Sequence, residues 1–520
     1  MPALPKPLLN LAASWHAARG RRRIRSEDAG GAAQDLAWRN LLPPLAQTAR
    51  GQALGLTADM SYDDFRLQVP LSDFADLAPW TSRIIDGESN VMWPGDPVAW
   101  VATAGTTTGA PRLLPVSEAM ADHVAGTTLE MLLQGAARTG DDRCLRGRHL
   151  LLAGRTSQPD AGGHLDISTL SASFWPAWYE RAYALPSPAT FAEMDWAALV
   201  NATIQEAHDQ YVTVLCGQPP WLIELARRMV GGPPTGKEPA VTLRSFWPDL
   251  RCIMHGGTQV LPYRDELLQL AGQGVTLHEI HYAAEGLFGA QDSVRGLRLL
   301  AEQGIFFEFL PRVRGTQPPF GSSGARALSL AEIKLGSDYE LLVTTPGGLV
   351  RHRVGDIVRF SSLRPPRYTV VGHADLLLNA YGEQLNEHDL TEHLVDVCAD
   401  NQWKITQFHV APLPSSTEQG KLQGRHEWWV ELDANPRTPP RGPAIATRLD
   451  SFMLRAHPRY AELRNTGVLS EPIVRLVMPG AFKHWMQHHR LWGGPHRLAR
   501  ARSDRMLADS IARTVRFSTD

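Results

Sequence analysis

Cysteine is scarce. The 520 residues hold four, Cys144, Cys216, Cys252 and Cys398, far apart and none in a CxxC pair. That excludes a disulfide framework and a structural zinc knuckle. Net charge is nearly absent as well: 52 lysines and arginines face 54 aspartates and glutamates, leaving −2. A chain so balanced is not built to wrap nucleic acid or to coat an anionic membrane. No apolar run approaches the roughly 18–20 residues that span a bilayer. At the N-terminus, MPALPKPLLNLAASWHAARGRRRIRSED carries its arginines after the apolar stretch. A secretory signal has them before it, so a cytoplasmic protein is expected. Several catalytic signatures are missing too. There is no Walker A GxxxxGK[ST]. Gly321-Ser-Ser-Gly324 lacks the spacing of a GxSxG elbow. His484, His488 and His489 include no HExxH and read as a solvated or partner-facing cluster.

What is present is an ordinary globular composition, with 43% hydrophobic and 20% charged residues. Residues 1–60 look helical and amphipathic, with breaks expected at Gly30-Gly31 and Pro43-Pro44. From about 96 to 360, short β-rich runs such as His149–Ala153, Tyr211–Cys216 and Arg251–Met254 alternate with helical runs such as Ser117–Arg138 and Pro220–Val230. This alternation predicts an α/β core. Near 340 strands follow one another directly, as a meander joined by Thr-Pro-Gly-Gly and Arg-Pro-Pro turns. Beyond Gly372 the texture is that of a small α+β unit, with a strand at Glu427–Leu432, a helix over Ala444–Leu463 and a strand at Pro472–Pro479. The expected architecture is a large N-terminal α/β domain with a β-meander, residues 1–372, and a small C-terminal α+β domain, residues 373–520, hinged near His373–Leu376.

The most informative stretch is Trp100-Val-Ala-Thr-Ala-Gly-Thr-Thr-Thr-Gly-Ala-Pro-Arg112. Glycines let backbone N–H groups turn toward an anion, threonine hydroxyls add donors, and arginine adds charge. Pro111 and Pro115 flank an extended Arg112-Leu-Leu, and the helix begins only near Ser117. The pattern predicts a strand–loop–strand phosphate cradle; a threonine-rich surface hairpin is the alternative for the loop taken alone.

The loop's T-x-G-T-T-x-G-x-P-[KR] order resembles the phosphate loop of adenylate-forming enzymes, the acyl-CoA synthetases, luciferases and their relatives. Three more segments follow in that superfamily's order: Arg251-Cys-Ile-Met-His-Gly-Gly-Thr258, His281-Tyr-Ala-Ala-Glu-Gly-Leu-Phe-Gly289 and Arg351-His-Arg-Val-Gly-Asp356. Their variants, with Gly217-Gln-Pro-Pro-Trp221 and Gly480-Ala-Phe-Lys-His-Trp-Met486, resemble the auxin-responsive acyl-acid amido synthetases, which join small carboxylic acids to amino acids. The resemblance covers nearly the whole chain.

It implies an adenylate-forming fold, ATP and Mg²⁺ as cofactors, and a small carboxylic acid and an amino acid as partners, with no nucleic acid or membrane partner. Thr103, Ala104, Thr106, Thr107 and Arg112 would hold phosphates. Gly257, Thr258, Tyr282 and Ala283 would flank the adenine and α-phosphate. Glu285 would hold Mg²⁺, which favours one or two carboxylates plus phosphate oxygens, and Asp356 would accept from the ribose hydroxyls. Arg497, in Leu491-Trp-Gly-Gly-Pro-His-Arg497, takes the place of the family's mobile lysine and would act with Glu285 and Arg112 in catalysis. His373 stands at the hinge where relatives carry arginine, and Arg353 reads as structural. His278-Glu-Ile-His281 reads as sheet packing with one edge near the site. Alternatives are transfer of the acyl group to a thiol, of coenzyme A or a carrier protein, and a catalytically weakened nucleotide-binding homologue. The acid, the acceptor and the oligomeric state are open, a monomer among the possibilities.

Overall fold

The computed structural model describes residues 11, 15, 18, 30–102, 112–153, 155–156, 167–168, 177–191, 195–231, 240–292, 296–312, 326–401, 403–415, 423–433, 439–494 and 496–514. One eleven-stranded sheet organises the first two-thirds of the chain. Its one half is parallel: Ala184–Leu185, Arg148–Leu152, Val212–Gly217, Cys252–His255 and Thr276–Ala283 run side by side. Apolar runs such as Val212-Thr-Val-Leu-Cys-Gly217 are buried almost throughout, as strands covered on both faces must be. The other half is antiparallel and includes the expected meander, Asp338–Thr344, His352–Leu363 and Pro366–His373.

The change occurs at Thr276–Ala283, which pairs parallel with Cys252–His255 and antiparallel with Gly286–Gln291. Three parallel strands therefore end together, delivering Gln218, Gly256-Gly257 and Ala284-Glu285 to one place. Carboxyl ends of parallel strands at such a switch leave a crevice for a ligand. Beside them, Ala99–Ala102 and Leu113–Val116 form an antiparallel hairpin. The Ser117 hydroxyl accepts from the Met120 N–H at 3.0 Å to start the helix Glu118–Thr139. The two expected strands are present and the helix begins only after the second of them; residues 103–111 lie outside the described residues.

Two expectations about helices need correction. The helix Gly31–Ala46 runs through Pro43-Pro44. Its face of Trp38, Leu41, Leu42 and Leu45 packs against Phe65 and Phe306, and that burial outweighs the roughly 3 kcal/mol an internal proline costs. The single helix expected over Ala444–Leu463 is two, Gly442–Ala456 and Pro458–Asn465. Pro458 disfavours helical backbone at His457, which is extended.

After His373 a three-stranded sheet forms from Ile405–Ser415, Gln423–Leu432 and Ile473–Val477. Leu390, Leu394, Phe408, Trp428, Leu449 and Met453 make its own core. Its other side joins the large part: Phe482, Trp485 and Leu498 share one contiguous core with Trp196, Trp221 and Leu225. The junction is pinned by buried Glu224. Its Oε2 accepts from the indole N–H of Trp196 at 2.9 Å and of Trp492 at 3.0 Å, and its Oε1 accepts from Arg228 at 2.7 Å. Trp221 donates to the Gly494 carbonyl at 3.0 Å. Gly493 has φ +95°, and a Cβ there would lie 2.2 Å from the Trp196 ring, so only glycine fits. Among the described residues no helix is long and apolar enough to cross a membrane.

Arg351 ties the N-terminal helices to the meander. It donates to both oxygens of Glu308 at 3.0 Å and to the carbonyls of Arg66 and Val69 at 3.0 and 2.6 Å. Arg351→Met leaves Glu308 buried without its cation, which costs about 3–5 kcal/mol. Urea denaturation is expected to show that loss, and Arg351→Met/Glu308→Leu is expected to recover most of it. A double variant no more stable than the single one would contradict the pairing.

Candidate active site

The crevice at the sheet's switch is a cavity of about 640 Å³ between the large and small parts of the chain. Arg112, Gly257, Thr258, Tyr282, Ala283, Glu285, Asp356, His373 and Arg497 all line it. Residues separated by up to 385 positions in sequence thus meet in one space. Thr103, Ala104, Thr106 and Thr107 lie outside the described residues.

The floor is made by close packing of backbone on an aromatic ring. A Cβ on Gly256 would lie 2.7 Å from the Tyr282 ring and 2.5 Å from the Ile280 carbonyl. Gly257 is left-handed, with φ +74°. Its carbonyl accepts from Arg497 Nη1 at 3.2 Å, so the small part of the chain reaches the Gly-Gly turn directly. On the opposite wall the Arg112 guanidinium lies 4.9 Å from the Phe74 ring centroid, a cation–π contact that holds it at the cavity edge.

Asp356 follows Gly355 within the strand His352–Leu363, and Gly355 has φ +88°. A side chain at Gly355 would meet the His373 ring at 2.5 Å, which explains a glycine directly before this carboxylate. Asp356 Oδ2 lies 2.9 Å from His281 Nε2, and His281 Nδ1 lies 2.8 Å from the Tyr368 hydroxyl. A carboxylate only accepts, so Nε2 carries a proton. Burial holds the Tyr368 hydroxyl protonated, and it donates to Nδ1. Burial also works to raise the Asp356 pKa. The His281 hydrogen bond, with favourable contributions from His373 and Arg497, outweighs it and holds the carboxyl below its ordinary range.

Glu285 has the opposite environment. It is 4% exposed, and burial, with a smaller contribution from Asp356, pushes its pKa up to about 8 against the pull of its own backbone N–H and Arg112. His352 Nε2 stands 3.9 Å from Glu285 Oε1, too far for a hydrogen bond. A buried carboxylate so short of positive charge suits a divalent cation. One such carboxylate facing a cavity, completed by ligand oxygens, is the donor set that Mg²⁺ prefers.

For His278-Glu-Ile-His281 the expectation is sheet packing with one edge near the site; His281 is that edge, and its bond to Asp356 goes beyond packing. The alternation was the available signal. Neighbours on a strand point to opposite faces, so with Tyr282 under the Gly-Gly turn, His281 must face the meander strands that carry Asp356 and Tyr368. Arg353 is occupied as expected, with two 2.8 Å bonds to Glu340. His484, His488 and His489 bring no metal-type grouping together. Among the described residues that geometry occurs at His388, Asp389 and Glu392.

Comparison with known proteins follows this layout. Family models for the N-terminal, central and C-terminal domains of the GH3 family match residues 26–177, 298–372 and 388–496. The jasmonoyl–L-amino acid synthetase GH3.5 of Oryza sativa subsp. japonica is 21% identical over 523 residues, 85% of this chain and 87% of that protein. The GH3 domain-containing protein of Homo sapiens is 30% identical over 220 residues, 41% of this chain and 40% of that protein. The structure of AtGH3.15 acyl acid amido synthetase in complex with 2,4-DB superposes with a TM-score of 0.75 at 18% identity, covering 100% of this chain and 99% of that one. A 2-hydroxyisobutyryl-CoA ligase in its postadenylation state, bound to 2-HIB-AMP, gives 0.57 at 15% identity over 94% and 91%. The fold is therefore that of the adenylate-forming enzymes, and with its three consecutive domain matches this chain belongs to the GH3 family of auxin-responsive acyl-acid amido synthetases.

Proposed function

We propose that this protein is an ATP- and Mg²⁺-dependent ligase that adenylates a small carboxylic acid and passes the acyl group to an amino acid. The observation that carries the reading is the cavity itself. It gathers a carboxylate kept ionised, Asp356, a carboxylate waiting for a cation, Glu285, and two arginines from opposite ends of the chain, Arg112 and Arg497. The relatives' names support the same chemistry, since they are an amino acid synthetase and an acyl acid amido synthetase.

In the first half-reaction a carboxylate oxygen attacks the α-phosphorus of ATP. A P–O bond forms, the bond to the β-phosphate bridge breaks, and pyrophosphate leaves. In this reading Asp356 accepts from the ribose hydroxyls and fixes the nucleotide. Arg112, with Thr103, Ala104, Thr106 and Thr107, cradles the phosphates. Gly257, Thr258, Tyr282 and Ala283 border the adenine and α-phosphate, and His373 flanks the ribose side. Arg497 neutralises charge at the reacting phosphate, where preorganised cations act most strongly. Glu285 would hold Mg²⁺, which supplies further neutralisation of the phosphates. In the second half-reaction the amine attacks the acyl carbonyl, the C–O bond to phosphate breaks, AMP departs, and the amine proton passes to solvent. Residues 1–372 would supply the nucleotide and acid sites and residues 373–520 a mobile lid turning near 373–376. All four cysteines are free, which suits a reducing compartment, so we place the protein in the cytoplasm.

Asp356→Ala and Arg497→Ala are each expected to slow carboxylate-dependent ATP–pyrophosphate exchange by roughly 10²–10³-fold. Unchanged exchange in both would remove them from the mechanism. Addition of an amino acid is expected to yield an amide, whereas product only with coenzyme A or another thiol would reassign the acceptor. ATP binding without any exchange would mark a weakened homologue.

A pH prediction follows from Glu285. Its folded pKa of about 8 lies above the ordinary 4.5, so the folded state favours the protonated form. Without metal, stability is then retained below about pH 4.5 and lost as pH rises toward 8. Glu285→Gln is expected to raise the metal-free unfolding free energy at pH 8–9 by about 2–5 kcal/mol and to leave it unchanged near pH 4.5. Equal stabilities at both pH values would contradict the environment described for Glu285.

A further inference from the structure

Beside Glu285 stands His352. It is fully buried, at the start of the strand His352–Leu363 that also carries Asp356. Neither of its ring nitrogens has a hydrogen-bond partner, and among the described residues no other histidine leaves both nitrogens buried and unpaired. Buried polar atoms are costly to leave so, and other buried imidazoles of this chain avoid it. His123 pairs with the Gln303 carbonyl at 2.7 Å, and His409 with the Ala499 carbonyl at 2.7 Å. The His352 ring meets Phe74 edge to face, 4.8 Å between centroids, and Phe74 carries the Arg112 guanidinium. His352 therefore belongs to the end of the cavity assigned to phosphates. Its Nε2 lies 3.9 Å from Glu285 Oε1.

We propose that His352 Nε2 is a second protein ligand of the divalent cation at Glu285, and that this mixed nitrogen–oxygen site holds a first-row transition ion more tightly than Mg²⁺. The inference rests on the cation role given to Glu285 in the adenylation reading and adds a ligand and a class of metal to it. Distance comes first. A tetrahedral ion bound at about 2.0–2.1 Å by an imidazole nitrogen and a carboxylate oxygen sets those two atoms about 3.4 Å apart. The observed 3.9 Å is too long for a hydrogen bond and about 0.5 Å from that spacing. Protonation comes second. Imidazole binds a metal only when neutral. Burial foremost, and then the charge of Arg50, keep this ring unprotonated. One ion would give the unpaired nitrogen a partner and the buried carboxylate its counter-charge. Ligand chemistry comes third. Oxygen donors suit Mg²⁺, whereas imidazole suits the later first-row ions, whose affinity rises from Mn²⁺ through Co²⁺. Glu285 lines the cavity, so phosphate oxygens can complete the donor set.

The test is metal binding by the full, nucleotide-free chain, which needs no turnover. Pulsed EPR of the Mn²⁺-loaded protein is expected to show coupling to an imidazole ¹⁴N. Calorimetry is expected to give a dissociation constant for Co²⁺ at least about tenfold below that for Mg²⁺. His352→Leu is expected to abolish the ¹⁴N coupling and to bring the two constants within about threefold of each other. His352→Gln offers an amide oxygen in place of the nitrogen and is expected to keep Mn²⁺ bound without the coupling. Both variants lose no hydrogen bond and are expected to melt, metal-free, at the wild-type temperature. Coupling that survives in His352→Leu would overturn the inference. So would coupling that disappears instead in His388→Gln, at the His388, Asp389 and Glu392 group. Absence of bound Mn²⁺, or equal affinity of the wild type for Co²⁺ and Mg²⁺, would overturn it as well. Each of these results leaves ATP–pyrophosphate exchange, and with it the adenylation reading, in place. Nitrogen-coupled metal in a protein that exchanges with no acid would contradict the adenylation reading and not the ligand.

Discussion

The carboxylate of Glu224 is the contact on which the assembled site depends. It sits almost out of reach of water and receives two indole N–H groups, one from each side of the junction, Trp196 and Trp492. Arg228 completes its hydrogen bonding, and Lys483 adds charge from 3.8 Å while its ammonium lies over the Trp492 ring. Buried charge-assisted bonds are expensive to leave unmade, so the Trp492-Gly493-Gly494 segment has one well-defined seat. Five residues after Trp492 comes Arg497, which that seat delivers to the Gly257 carbonyl. Position, which ligases of this kind need most, is thus secured by Trp196, Glu224 and Trp492, which do not line the cavity.

Electrostatic division of labour is the second constraint. Two carboxylates face one cavity, and their surroundings push them apart. Asp356 is given a donor, His281, itself fixed by Tyr368, and stays ionised. Glu285 is given burial and little else. Pairs of acids driven in opposite directions mark places where charge must be held in one spot and supplied by a ligand in another. The same economy appears in the backbone: Gly256 and Gly355 stand where a Cβ would strike Ile280 and Tyr282 or His373, so strand and ring can pack closely at the cavity.

Much of this was legible in the sequence because it is local. Parallel strands such as Val212–Gly217 and Cys252–His255 announce themselves as short apolar runs, and the meander by its proline and glycine turns. Ordered motifs gave the family, and Arg112, Glu285, Asp356 and Arg497 do share one cavity. What was not legible is what depends on tertiary contact. Pro43-Pro44 signals a helix break, yet the helix Gly31–Ala46 continues because its apolar face is covered by Phe65 and Phe306. His281 carries no motif of its own; its partners lie 75 and 87 residues away. Trp196, Glu224 and Trp492 are equally scattered, and nothing in their spacing says that they meet.

The central claim is that the acid is activated as an adenylate in the cavity between the two parts of the chain. It is tested most directly by following oxygen. The acid that supports the highest exchange, labelled with ¹⁸O in its carboxylate, is incubated with ATP, Mg²⁺ and an amino acid, and the nucleotide product is examined by mass spectrometry. Attack of the carboxylate on the α-phosphorus followed by cleavage of the acyl C–O bond leaves one ¹⁸O in AMP, and that is the result expected here. ADP with label in inorganic phosphate, or AMP without label, would contradict it.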